Sequence, residues 1–128
     1  MVSDSLSNAL ITLKNSERSG YRDCMIKASK LMGNVLRVLK DYGYIKGFEY
    51  VDSKTGSTYR IELSGRINDC GAVRPRFSAK KIDFEKFEKR YLPARDFGIL
   101  VLSTVDGVMS QNEAVEKGLS GVLLAYIY

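Results

Sequence analysis

Four successive large apolar residues, Ile99-Leu100-Val101-Leu102, constrain this chain more than any other segment. A half-buried strand alternates apolar with polar residues, but this run, entered through Phe97-Gly98, leaves no face for water. A strand built from it must be covered on both faces and lie inside a sheet. Directly after it come Ser103-Thr104-Val105-Asp106-Gly107-Val108-Met109-Ser110, and Ser110-Gln111-Asn112-Glu113 then has the S-x-x-E spacing of a helix capping box. The stretch from Ser103 to Ser110 reads as one loop held between a rigid strand and a helix. It carries hydroxyls and a glycine but no group suited to activating a nucleophile, so it suits a binding tip better than a catalytic centre. A plainer reading stays open, in which Ser103 and Thr104 only end the strand and Asp106-Gly107 makes a turn.

The rest of the chain supplies an α+β pattern in two small α/β lobes. Leu6, Ala9, Leu10 and Leu13 recur at helical spacing between Ser3 and about Arg18, with Gly20 beyond. A short strand over 23–28 places Cys24 and Ile26 on one face. Ser29 is a good N-cap for a second helix whose stripe is Leu31, Met32, Val35, Leu36, Leu39 and Tyr42, stopped by Gly43. Residues 44–51 and 58–64 read as a strand pair around the turn Asp52-Ser53-Lys54-Thr55-Gly56. This helix–strand–helix–strand–strand unit ends near Gly65, so we divide the chain into lobes over 1–65 and 66–128. The second lobe is mostly β, with one or two short helices. It opens with an irregular stretch over 68–76. Phe84, Phe87 and Tyr91 then mark a short helix that Leu92-Pro93 breaks, and Gly118 closes the helix begun at Ser110. The apolar ending Val122 to Tyr128 reads as a strand docked in a sheet.

Charge is distributed unevenly. The formal net charge is +5, and the stretch from Arg74 to Arg95 holds eight basic residues against three acidic ones, leaving the remainder balanced. Such a patch is the electrostatic footprint expected for a polyanion, although a solvated helix face has the same composition. Within it, Arg74-Pro75-Arg76-Phe77 joins two guanidiniums to a kink and an aromatic ring, and Lys80-Lys81 follow. Guanidiniums fit phosphate oxygens and a ring can stack on an unpaired base; alternatively Phe77 is core and the cations are solvated.

Other function classes find little support. Cys24 and Cys70 lie 46 positions apart and the chain has no His, which disfavours a zinc site and removes the commonest general base near neutral pH. Two buried or half-buried free thiols are the better reading than a disulfide. There is no phosphate loop, no G-x-G-x-x-G run, and Gly118-Leu119-Ser120-Gly121 has the wrong order for a nucleophile elbow. No apolar run approaches the roughly 18–20 residues of a membrane span, and the N-terminal residues do not resemble a secretory signal. We therefore expect a cytoplasmic, non-enzymatic, cofactor-free binding protein with no small-molecule substrate. A protein-interaction module docking through the edge of its C-terminal strand is the alternative.

In order and spacing, several segments together resemble the ribosomal protein S-eight family of the small subunit. They are Ser5 to Leu10 with Asn15, Ala28-Ser29-Lys30, Tyr42-Gly43-Tyr44-Ile45 with Phe48-Glu49, Gly65-Arg66-Ile67-Asn68 with Cys70-Gly71, Arg74 to Phe77, Leu92 to Gly98, Ser103 to Ser110 and Gly118 to Gly121. The similarity runs over essentially the whole chain, and Arg74 to Phe77 and Leu92 to Gly98 point to the archaeal and eukaryotic branch. The resemblance implies two α/β lobes, the second binding RNA, and a partner in a bulged helical segment of the central domain of small-subunit rRNA. It implies early binding that aids assembly, neighbouring small-subunit proteins as further partners, and ribosome association. Some bacterial members also bind their own messenger RNA, which makes that RNA a candidate partner here. By the same resemblance Ser103, Thr104, Gly107 and Gly121 face RNA, joined by Lys14, Asn15 and Lys30 from the first lobe and by Arg74, Arg76, Lys80 and Lys81 from the basic stretch. Three positions depart from the family pattern. Val105 stands where many relatives have a third hydroxyl, Asp106 brings a negative charge, and Ser120-Gly121-Val122 replaces a Gly-Gly pair followed by a polar residue.

Overall fold

The computed structural model describes residues 4–73, 78–80, 83–94 and 97–128. The fold is α+β, with four helices and two antiparallel sheets among the described residues. The chain divides into two compact units, Met1–Asn68 and Asp69–Tyr128.

In the first unit the order is α1 (Asp4–Arg18), β1 (Asp23–Lys27), α2 (Lys30–Asp41), β2 (Ile45–Val51) and β3 (Thr58–Leu63), with sheet order β1-β3-β2. Leu6, Ala9, Leu10 and Leu13 of α1 are buried while Ile11 is exposed, and α1 packs on β1 while α2 packs on β2. Ser29 caps α2 as anticipated, its Oγ accepting the Met32 N–H at 3.1 Å. The buried stripe of α2 differs at its margins from the one predicted. Val38 is buried, whereas Tyr42 is exposed, because it is the C-cap and has already left helical geometry. On the sheet, Cys24 and Ile26 lie opposite Ile61 and Tyr59. A bulge in β2 pairs Ile45 with Leu63 but Gly47 with Glu62. The extra residue returns buried Ile45 to the face of Phe48, three positions further on, which strict alternation would forbid. On the opposite face Arg60 bridges Asp23 and Glu49 at 2.9 and 3.1 Å, an exposed network that adds little to stability.

Cys24 and Cys70 are both buried free thiols. Burial pushes the Cys24 thiol up, with a hydrogen bond to Ser16 partly opposing it, so the group stays protonated and unreactive at neutral pH.

The second unit runs β4 (Cys70–Ala72), β5 (Ser78–Ala79), α3 (Phe84–Tyr91), β6 (Ile99–Thr104), β7 (Gly107–Ser110), α4 (Gln111–Lys117) and β8 (Gly121–Ile127). Its sheet order is β4-β8-β6-β7, with β5 also on β8. The apolar run is β6, buried from Ile99 to Leu102 as its composition requires. Helix α3 buries Phe84 and Phe87, and Leu92 turns extended (φ −107°, ψ 145°) ahead of Pro93. These side chains share a core with Val73, Leu100, Leu102, Met109, Ala114 and Leu123.

Three expectations are corrected here. Strand β8 pairs with β6 on one edge and with β4 and β5 on the other, so the C-terminal strand is internal and has no open edge for docking a partner. The stretch over 68–76 is not wholly irregular, since Cys70–Ala72 pairs with Ala125–Ile127. Three residues are too few to show a period, and only the tertiary partner makes them a strand. Finally, 103–110 is a hairpin and not one loop. Ser103 and Thr104 still belong to β6, Val105 and Asp106 form a two-residue turn, and Val108 and Met109 are buried opposite Ser103 and Leu102. The Ser110 cap forms, its Oγ accepting the Glu113 N–H at 3.3 Å. Ser110 sits opposite Val101, three pairs in from the turn, and is 1% exposed, so this helix end is not presented at the hairpin tip.

One side chain substitutes for a strand. β7 ends at Ser110, opposite Val101, and the next β6 donor, the Leu100 N–H, is taken by Gln111 Oε1 at 2.8 Å. Gln111 is 3% exposed, and its Nε2 donates to Glu88 Oε2 of α3 at 3.4 Å. Replacing Gln111 by Leu strands the buried Leu100 N–H, and urea unfolding should show a loss of about 1–3 kcal/mol. In the native protein both thiols should react with an aromatic disulfide reagent far more slowly than in urea; equal rates would contradict their burial.

Candidate nucleic-acid interface

Strand register brings four of the site residues named above together at one end of the second sheet. Gly107 of β7 lies opposite Thr104 of β6, Thr104 opposite Gly121 of β8, and Gly121 opposite Ala79 of β5. Ser103 occupies the next row, between Val108 and Val122. The end row spans three strand spacings, ~14 Å. Two of its four positions are glycine, so at those positions no side chain stands between this backbone and an approaching ligand.

Both glycines are required by geometry. Gly107 has φ +121°, a conformation that essentially only glycine adopts. At Gly121 a Cβ would overlap the Ser103 carbonyl oxygen and come within 3.0 Å of Thr104 Cγ2. The absence of a side chain is what lets β8 start flush against β6.

Thr104 holds the tip in shape. Its Oγ1 donates to the Gly107 carbonyl at 2.9 Å and accepts the Asp106 N–H at 3.2 Å. The hydroxyl proton and one lone pair are thus committed to the turn, and one lone pair remains. Val105, at 91% exposure, and the exposed Asp106 project from the turn. Exposed Ser120 precedes Gly121 on the adjoining strand.

Lys80 joins this end of the sheet as the residue after β5, and it is exposed. Its N–H donates to Asp83 Oδ2 at 3.2 Å and its carbonyl accepts the Asp83 N–H at 2.8 Å, closing a turn into α3. On α3 the exposed cations are Lys86, Lys89 and Arg90. Lys89 pairs with Glu85 at 3.6 Å, while Lys86 and Arg90 lie over the Phe87 and Tyr91 rings at 5.7 and 5.5 Å.

The remaining site residues are not part of this cluster. Lys14 is half-buried and Asn15 exposed on α1, and exposed Lys30 opens α2, all three in the first unit. Arg74, Arg76 and Lys81 lie outside the described residues. Sequence reasoning missed the turn-holding role of Thr104 and the alignment of Ala79 with Gly121. A glycine opening an apolar strand pattern was a legible signal for close backbone approach at position 121. Among the described residues no set of three His, Cys, Asp or Glu side chains is gathered to hold a metal, and no helix is long and apolar enough to cross a membrane.

Comparison with known proteins bears on the whole chain. The family model for Ribosomal protein S8 matches residues 4–128. The chain is similar to the small ribosomal subunit protein uS8 of the archaeon Archaeoglobus fulgidus, with 64% identity over 126 residues that cover 98% of each chain. A match of this extent takes in both units and the hairpin tip, and the chain belongs to the ribosomal protein S8 family.

Proposed function

We propose that this protein is a constituent of the small ribosomal subunit that binds the central domain of small-subunit rRNA directly and helps that RNA assemble. It acts in the cytoplasm as part of the ribosome and catalyses no covalent step. Its family membership and the name of its archaeal relative support the ribosomal role. The observation that carries direct RNA contact is the end row Gly107–Thr104–Gly121–Ala79 beside Lys80. Backbone donors and acceptors with little side chain in front of them can approach a folded RNA groove closely, meeting base edges and 2′-hydroxyls.

Labour divides by chemistry. Lys80, with Arg74, Arg76 and Lys81 from the same stretch, neutralises phosphates and sets affinity without reading sequence. The tip of Ser103, Thr104, Gly107 and Gly121 discriminates the bound structure. Lys14, Asn15 and Lys30 add contacts from the first unit, and neighbouring ribosomal proteins complete the surroundings. Its own messenger RNA is a second RNA partner, to the extent that it repeats the rRNA fold.

Filter binding to a central-domain transcript and to a scrambled RNA tests this division. Lys80→Ala should weaken both and lower the slope of log K against log salt by about one. Thr104→Val frees the Gly107 carbonyl and the Asp106 N–H, and should cost about 1 kcal/mol on the cognate RNA alone, with Thr104→Ser restoring it. Gly121→Ala pushes β8 off the Ser103 carbonyl and should reduce both thermal stability and cognate binding. Equal losses on both RNAs for every variant would contradict the reading, as would absence of the protein from small subunits in a sedimentation gradient.

A further inference from the structure

We infer that an aromatic row at the far end of the second sheet is a separate nucleic-acid contact, in which the exposed ring of Phe97 stacks an unpaired RNA base. The inference rests on the proposed RNA-binding role but uses none of the residues assigned to it above. Along β8, Tyr126 lies five residues beyond Gly121, about 17 Å from the end row. There the Tyr91 and Tyr126 rings are near-parallel with centroids 5.5 Å apart, and Tyr126 and Tyr128 are likewise near-parallel at 6.2 Å. Phe97 continues the row, its ring 6.3 Å from that of Tyr128. The three tyrosines are half-buried, whereas Phe97 is 48% exposed.

The surrounding backbone fixes these rings. Tyr126 pairs with Gly71, where a Cβ would come within 3.0 Å of the tyrosine hydroxyl oxygen, so the missing side chain lets the ring lie across β4. The Tyr128 hydroxyl donates to Asp69 Oδ2 at 3.3 Å. Gly98 has φ +96°, and a Cβ there would overlap the Ile127 carbonyl oxygen and crowd Tyr128 Cβ. Only glycine brings the chain this close to the end of β8, and that approach sets Phe97 beside Tyr128. The Phe97 N–H donates to the Ala94 carbonyl at 3.2 Å, closing the turn that carries the ring. A phenylalanine held in this way leaves apolar area in water that a stacked base would cover.

Charge selects the occupant. The carboxylates of Asp69 and of α3 are engaged within the unit: Asp69 also accepts the Cys70 N–H at 2.9 Å, Glu88 accepts from Gln111, and Glu85 pairs with Lys89. At the other end of the row the exposed Arg90 guanidinium lies over the Tyr91 ring at 5.5 Å. Aromatic faces in series beside a guanidinium suit a single-stranded polyanion, because any base can stack while a phosphate meets the cation. A protein partner would draw on the apolar bulk of the Phe97 ring and not on its π-face, and that difference separates the two occupants.

The test titrates the full chain into a single-stranded RNA decamer carrying one 2-aminopurine, read by fluorescence quenching. Ultraviolet crosslinking with peptide mass spectrometry locates the contact. Phe97→Leu keeps the apolar bulk and removes the π-face, and should bind the decamer about tenfold more weakly, the scale of one lost stack. Phe97→Tyr should bind like the wild type, and Arg90→Gln should weaken binding and lower the salt slope by about one. The wild-type crosslink should fall on the peptide that holds Phe97. Equal binding by wild type and Phe97→Leu, Phe97→Tyr as weak as Phe97→Leu, no quenching by the wild type, or a crosslink confined to other segments overturns the inference. So does loss of a neighbouring protein from small subunits assembled with Phe97→Leu while decamer binding holds, which assigns the row to a protein. Thr104→Val and Lys80→Ala on the central-domain transcript serve as references. If they weaken binding as expected while the Phe97 variants do not, only the aromatic row has failed; if the wild type binds neither RNA, the RNA-binding reading itself has failed.

Discussion

Strand β8 takes hydrogen bonds from β6 along one edge and from β4 and β5 along the other, and the architecture of the second unit depends on that placement. A strand in the middle of a sheet has all of its backbone groups paired and both faces available for packing, so it tolerates a wholly apolar sequence. The same placement ties distant segments together. Cys70–Ala72 meets the end of the chain, and the backbones of Asp69 and Tyr128 exchange hydrogen bonds at 3.0 and 2.9 Å. It also aligns Gly121 with Thr104, which assembles the end row from three sequence-distant pieces.

The hairpin shows how a narrow backbone edge is made from very little material. No large side chain is recruited. Instead one hydroxyl locks a two-residue turn, one glycine allows a φ that other residues avoid, and a second lets two strands close without a Cβ between them. The result is a stiff, narrow tip whose chemistry is mainly backbone. That economy fits the function proposed above, recognition of a folded polyanion by shape. Gln111 solves a related problem inside the unit, where its amide accepts the Leu100 N–H and extends hydrogen bonding past the end of β7.

Much of this was legible where a local pattern had a local cause. The capped helix at Ser29, the buried run at Ile99 to Leu102 and the helix break before Pro93 follow from side-chain chemistry within one turn or one strand. What escaped depended on partners far away in the chain. Cys70–Ala72 carries no strand signal of its own, the bulge at Lys46 is invisible until Ile45 must face Leu63, and Ser103 to Ser110 looked like a loop because Val108 and Met109 needed β6 to give them a register. The candidate site was legible as a set of residue types, through likeness to a family. The reason those residues act together was not.

By itself, then, the sequence determined the helices and the buried strand from Ile99 to Leu102, where the cations concentrate and to which family the chain is akin. Periodicity, capping and composition are properties of neighbouring residues, so they survive without coordinates. Only the tertiary structure decided that the last strand lies in the centre of its sheet, that the Thr104 hydroxyl is occupied in holding a turn, and that Gly107, Thr104, Gly121 and Ala79 form one row. Strand order and register are set by competition among distant segments for the same hydrogen bonds and the same buried volume, and that competition leaves no trace in any short stretch of residues.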